Sequence, residues 1–161
     1  MDMQTQKHTV RDNCLYYKEG YKYWVNRHYH VRIDIFPEKD ICVFFETDEI
    51  NGNPVKIPVL SLDRFGNLIF HPGYVWDGAS GPTFDTLNSM IASLIHDGLY
   101  QLIRLGFIGI QYKKYADELL RLICIEDGMF ECRAGIWYIG VANFGNDACK
   151  PSSEHLEMVA P

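Results

Sequence analysis

The spacing of apolar residues changes partway along the chain. From Tyr21 to Trp76 they fall in short β-branched and aromatic runs: His30-Val31-Arg32-Ile33-Asp34-Ile35-Phe36, the turn Pro37-Glu38-Lys39-Asp40, then Ile41-Cys42-Val43-Phe44-Phe45. Alternation at period two, with turn chemistry between the runs, predicts antiparallel strands. Asn51-Gly52-Asn53 and Asp63-Arg64-Phe65-Gly66-Asn67 mark two more turns, flanking Val55 to Leu62 and leading into Leu68 to Trp76. This is a β-meander of about four strands. After Gly81-Pro82 the period becomes helical. Leu87, Met90, Ile91, Leu94, Ile95, Leu99 and Leu102 follow three-and-four spacing, with Asp85 or Thr86 as N-cap and Gly106 as the stop. A second helix is predicted over about 111–125, burying Tyr112, Ala116, Leu119, Leu120 and Ile123, and a third over about 129–144. Gly135 and Gly140 each cost the third helix about 1 kcal/mol relative to Ala, which points to close helix packing there. The expected class is α+β, an N-terminal antiparallel meander followed by three packed helices in a single domain over 1–161. Strands occupy mainly 21–76, helices 83–144, and the polar tail 145–161 is irregular.

Composition narrows the functional classes. With 161 residues, 47% apolar and 14% aromatic, the chain can bury a core without disulfides. Fifteen Lys+Arg against 21 Asp+Glu leave a charge of −6, and the longest basic cluster is Lys113-Lys114. Nucleic-acid binding, which depends on neutralising phosphates, is therefore not expected. Cys14, Cys42, Cys124, Cys132 and Cys149 are odd in number and form no C-x-x-C pair, so they read as reduced, mostly buried thiols. The polar start Met1-Asp2-Met3-Gln4 has no apolar run of a signal peptide. The apolar stretch Ala134 to Phe144 is shorter than the roughly 20 residues a transmembrane helix needs. A cytosolic protein with no transmembrane segment is expected.

The chemistry is concentrated on the first helix. At 100° per residue, Ser89, Ser93, His96, Asp97, Tyr100 and Arg104 share one arc about 100° wide, away from the large apolar residues. Ser89, Ser93 and Arg104 read as a solvated face. His96, Asp97 and Tyr100 instead place an imidazole beside a carboxylate, with a phenol one turn later. Asp117 lies at the edge of the second helix's apolar stripe, and a partly buried carboxylate there needs a partner to offset desolvation. In an antiparallel helix hairpin turning at Gly106-Phe107-Ile108-Gly109, Asp117 faces His96. Two readings are open: a base with its orienting carboxylate, or a structural pair that knits two helices. The loop Trp76-Asp77-Gly78-Ala79-Ser80-Gly81-Pro82 turns sharply on small residues just ahead of this helix. His28 and His30 share a strand face but have no evident third metal ligand, so packing is the expected role. His71 is read as a strand-end residue, and Trp76, Trp137 and Tyr138 as core aromatics.

Three stretches carry a resemblance: Gly73-Tyr74-Val75-Trp76-Asp77-Gly78-Ala79-Ser80-Gly81-Pro82, His96-Asp97-Gly98-Leu99-Tyr100 and Ala116-Asp117. Together they resemble domain-of-unknown-function family 1353, small proteins encoded mainly by tailed bacteriophages and prophages, with Arg133 at the place of a basic residue on the third helix. The resemblance implies phage origin, other virion proteins as partners, and a location in the host cytoplasm or the virion. The helix pair is also similar, more locally, to phospholipase A-two enzymes. That similarity implies His96 as the base activating water, Asp97 as a calcium carboxylate, and Asp117 with Tyr100 as the groups holding the dyad. Asp77 and the carbonyls from Gly78 through Ala79 and Ser80 to Gly81, ahead of Pro82, would complete the calcium shell. Where secreted enzymes of that kind carry half-cystines around this helix, Ser93 and Leu99 stand nearby. Two functions are thus expected as alternatives: a calcium-type hydrolase of ester or cell-envelope substrates, or a non-catalytic tail, baseplate or neck component braced by the same residues.

Overall fold

The computed structural model describes residues 9–18, 22–50, 53–78 and 85–150, with backbone only for 46–50 and 53–54. The chain is α+β, with antiparallel strands in two sheets followed by three helices. It falls into two compact units that divide after Asp77.

In the first unit, β1 (Tyr17–Lys18), β2 (Tyr23–Val25) and β7 (Val75–Trp76) form a small sheet in the order β1-β2-β7. Tyr17, Tyr23 and Trp76 hold it by aromatic contact, their ring centroids 5.5 to 5.9 Å apart. The larger sheet contains β3 (Tyr29–Arg32), β4 (Ile41–Ile50), β5 (Asn53–Leu62) and β6 (Asn67–Phe70) in the order β3-β6-β5-β4. Consecutive pairing holds from β4 to β6. The first strand does not join β4, as a plain meander requires, but pairs with β6, a Greek-key order. The ladder of β3 ends at Arg32, yet Ile33 and Ile35 continue the buried alternation that extended the sequence-based strand to Phe36. Tyr29, Val31, Leu60, Leu62, Leu68 and Phe70 form the core of this unit. Gly66 turns between β5 and β6 at φ 83°, where a Cβ would collide with the Ile33 carbonyl oxygen, so glycine is required there.

In the second unit, α1 (Met90–Arg104), α2 (Lys113–Glu126) and α3 (Glu131–Phe144) follow in chain order. α1 starts later than the spacing predicts. Thr86 and Ser89 form a tight turn in which Ser89 Oγ accepts from the Thr86 N–H at 2.9 Å and donates to its carbonyl at 2.8 Å. Ser89 is thus the N-cap residue, though without a side-chain cap bond to the helix, and Leu87 is left 86% exposed ahead of it. Leu94, Leu99 and Leu102 are fully buried, each contributing about 1.5–3 kcal/mol. Gly106, at φ 75°, ends the stretch after α1, and a 3₁₀ turn at Ile110–Tyr112 leads into α2. In α3, Trp137 and Gly140 are buried, but a Cβ at Gly135 would meet open space, so close packing does not account for that glycine. The predicted irregular tail begins with a 3₁₀ turn, Asp147–Cys149; residues 151–161 lie outside the described residues. No described helix is long and apolar enough to cross a membrane.

Candidate functional site

The polar arc of α1 is largely a buried face. Ser89 is 0% and Ser93 1% exposed, correcting the expectation of a solvated stripe. Ser93 Oγ donates to the Met90 carbonyl at 2.9 Å, so the hydroxyl satisfies itself on its own helix and can be buried cheaply. The less enclosed stripe of α1 is Asp97, Gln101 and Arg104. Arg104 Nη1 donates to the Ala148 carbonyl at 3.2 Å.

His96 and Asp117 meet across α1 and α2, with His96 Nε2 2.9 Å from Asp117 Oδ1. The same oxygen accepts from the Tyr100 hydroxyl at 2.7 Å, and Asp117 Oδ2 accepts from Lys113 Nζ at 2.8 Å. A carboxylate with two such donors on one oxygen and an ammonium on the other is an acceptor only, which places a proton on Nε2. When the ring is neutral, its lone pair is therefore on Nδ1. That atom has Asp97 Oδ1 at 3.8 Å. The Tyr100 ring lies against the imidazole, centroids 3.9 Å apart.

Burial alone would raise the Asp117 carboxyl, but hydrogen bonds from His96, Lys113 and Tyr100 hold it below the usual carboxylate range. Burial likewise depresses the His96 imidazole, and the Asp117 and Asp97 carboxylates outweigh it to raise the group above its ordinary value. Burial and the Asp117 contact push the Tyr100 phenol up, so it stays a donor.

Lys113 was read from sequence only as half of a basic pair. It is a buried member of this cluster, and its ammonium also donates to the carbonyl oxygens of Val141 at 3.1 Å and Ala142 at 3.4 Å in α3. The available signal was its position one turn before Asp117, where an i,i+4 ion pair forms.

A cavity of about 340 Å³ opens beside the cluster. Gly78, His96, Asp97 and Tyr100 are among its lining residues, and Trp137, Val141 and Phe144 supply apolar wall. Asp77 belongs to the first unit, where its carboxylate meets Lys22 Nζ at 2.8 Å. Ala79, Ser80, Gly81 and Pro82 lie outside the described residues. Arg133 sits in the first turn of α3 and is not among the cavity residues. The described residues do not assemble a calcium shell. Among the described residues, Asp97 is the one carboxylate lining the cavity, and no group of three His, Cys, Asp or Glu is placed to hold a metal, whereas calcium takes six to eight oxygens. Their own capability is proton transfer.

The other described histidines, His28, His30 and His71, cluster in the first unit. His30 Nδ1 lies 2.9 Å from Asp12 Oδ2, His71 Nε2 2.8 Å from Ser61 Oγ, and the His28 and His71 rings stack edge to face at 5.1 Å. The five cysteines are unpaired, with Cys124 and Cys149 buried but Cys14 and Cys132 exposed, so burial is narrower than expected. Comparison of the chain with protein-family models, curated proteins and solved structures finds no match.

Proposed function

We propose that the chain is a phage-encoded hydrolase of ester bonds in lipid or cell-envelope material, with His96 as general base. The observation that carries this reading is the His96 Nε2 to Asp117 Oδ1 contact of 2.9 Å on the wall of a 340 Å³ cavity, which commits one imidazole nitrogen and leaves the other to take a proton. Nδ1 accepts a proton from water as the water oxygen attacks the ester carbonyl. The imidazolium is stabilised by ionised Asp117, then returns the proton to the departing alcohol. Tyr100 and Lys113 keep Asp117 ionised and in place. The cavity volume falls in the range of small-molecule sites, and Trp137, Val141 and Phe144 favour an apolar acyl group. Phage origin and virion partners belong to the same proposal, and rest on the sequence resemblances.

The test is hydrolysis of a panel of carboxylic esters of increasing acyl length by the purified chain, with and without calcium. Activity should rise with pH through the raised imidazole value, and His96→Ala should lower it about 10²–10⁴-fold. A wild-type chain no faster than buffer across the panel ends the hydrolase reading.

A second reading is favoured by one observation: Asp117 accepts from donors on α1 and α2, and Lys113 extends the cluster to α3. In a structural virion component this cluster braces three helices. His96→Ala then lowers the melting temperature with no hydrolysis to lose, and the protein is found by mass spectrometry in purified virions.

A further inference from the structure

His28, His30 and His71 converge on one face of the larger sheet. Along β3, buried residues alternate with exposed His30 and Arg32, and the register sets His30 against Ile69 of β6 and Ile69 against Ser61 of β5. His28 and His71 stand two residues from His30 and Ile69, on the same side by the period of two. The His28 and His71 ring centroids are 5.1 Å apart, and those of His28 and His30 6.3 Å. Two of the rings are tied to neighbours: His30 Nδ1 lies 2.9 Å from Asp12 Oδ2, and His71 Nε2 2.8 Å from Ser61 Oγ.

His71 sits at the joint between the two sheets of the first unit. Its N–H donates to the Val59 carbonyl of β5, and its carbonyl accepts from the Tyr74 N–H. Gly73 N–H donates to the Val25 carbonyl of β2, and Val25 N–H to the Tyr74 carbonyl. Burial, together with the charges of His28 and His30, holds the His71 imidazole below its ordinary value. Above the ordinary 6.5 neither the folded nor the unfolded chain carries this charge. As pH falls below it the unfolded chain takes the proton first, so acid removes stability from the joint.

We propose that His28, His30 and His71 form an acid-sensitive latch: three neutral rings pack together and keep the 71–74 connection on β5, and charging the rings drives that connection away. Like charges on neighbouring strand positions repel. The carboxylate bonded to the cluster is Asp12, which accepts from both the ring and the backbone N–H of His30 and so keeps the β3 edge closed while the His71 end opens. Across the same face, Arg32 on β3 adds positive charge, whereas Ser61 on β5 and Cys42 opposite it on β4 bring no countercharge, burial pushing the Cys42 thiol up. The latch is separate from the His96 site and stands whether or not the chain hydrolyses esters.

The experiment is amide hydrogen exchange of the full chain by NMR, read as protection factors at about pH 7.5 and about pH 5 on either side of the ordinary histidine value, for wild type and His28→Gln. His28 is exposed, so the substitution tests charge and not packing. In wild type the His71, Gly73 and Tyr74 amides should lose about tenfold or more in protection on acidification, and the β5–β6 ladder at Leu60 to Leu62 much less. In His28→Gln the loss at 71–74 should shrink, and the His71 midpoint in a histidine ¹H–¹⁵N titration should rise by about half a pH unit. His28→Asn takes its place if the glutamine chain does not fold. Protection at 71–74 that falls no more than that of the ladder, or that falls equally in wild type and variant, overturns the latch, as does an unmoved His71 midpoint.

Discussion

Gly145 is what lets Tyr100 reach Asp117. A Cβ at Gly145 would run into the Tyr100 hydroxyl and the Val141 carbonyl, so a residue just past the end of α3 decides how closely the phenol of α1 can lie. Both residues line the cavity. Gly145→Ala should destabilise the protein by about 1–3 kcal/mol, as overpacking of a filled site does, and urea denaturation will measure it. Stability equal to wild type would mean that the Tyr100 ring moves aside freely.

Removing the Asp117 charge should be more damaging than removing the Tyr100 hydroxyl. Asp117→Asn leaves Lys113 buried without an anion, which costs about 3–5 kcal/mol. Tyr100→Phe removes one hydrogen bond and should cost about 1–3 kcal/mol by equilibrium unfolding.

The two titrating partners impose opposite pH limits. Asp117 has a lowered value in the folded chain, so its stabilisation is present above the unfolded carboxylate value of about 4 and is lost as pH falls through the folded value. His96 has a raised value, so its stabilisation is complete below the ordinary 6.5 and is lost as pH rises through the folded value. Unfolding midpoints across pH 3–9 should therefore be highest between these limits. His96→Gln should flatten the alkaline side, and an alkaline decline unchanged in that variant would assign it to other groups.

Thiol reactivity should follow burial. Cys14 and Cys132 should alkylate in the native protein within minutes of reagent addition, ahead of Cys124 and Cys149, which are buried. Burial pushes the Cys124 thiol up to about 12, which lowers its thiolate population as well as its access. Intact mass with and without denaturant reads this directly, and early labelling at Cys124 would contradict it.

The helical pair was legible in sequence because its logic is local. Three-and-four spacing puts His96 and Tyr100 one turn apart, and a short glycine-bounded turn returns Asp117 to meet them. Lys113 escaped because lysine is rarely buried, so composition assigns it to solvent. Ser89 and Ser93 misled for the converse reason: a hydroxyl that bonds to its own backbone is polar in sequence but needs no water. The pairing of Tyr29–Arg32 with Asn67–Phe70 was hidden because periodicity states which face a strand buries and nothing about its neighbour. Leu87 fits the apolar stripe of α1 on paper, but the Thr86–Ser89 turn places it before the helix begins.

The β4–β5 hairpin has a further consequence. Its two strands are ten residues each, while β6 pairs with β5 only at Leu60 to Leu62. The outer pairs, Phe44 with Pro58, Phe45 with Ile57 and Thr47 with Val55, form a two-stranded ribbon, the arrangement least able to hold itself together in water. Its amide hydrogens should exchange with solvent by a local opening that leaves the Leu60, Leu62 and Leu68 core closed, so that one continuous strand carries two levels of protection, changing beside the register shift at Val43 and Phe44.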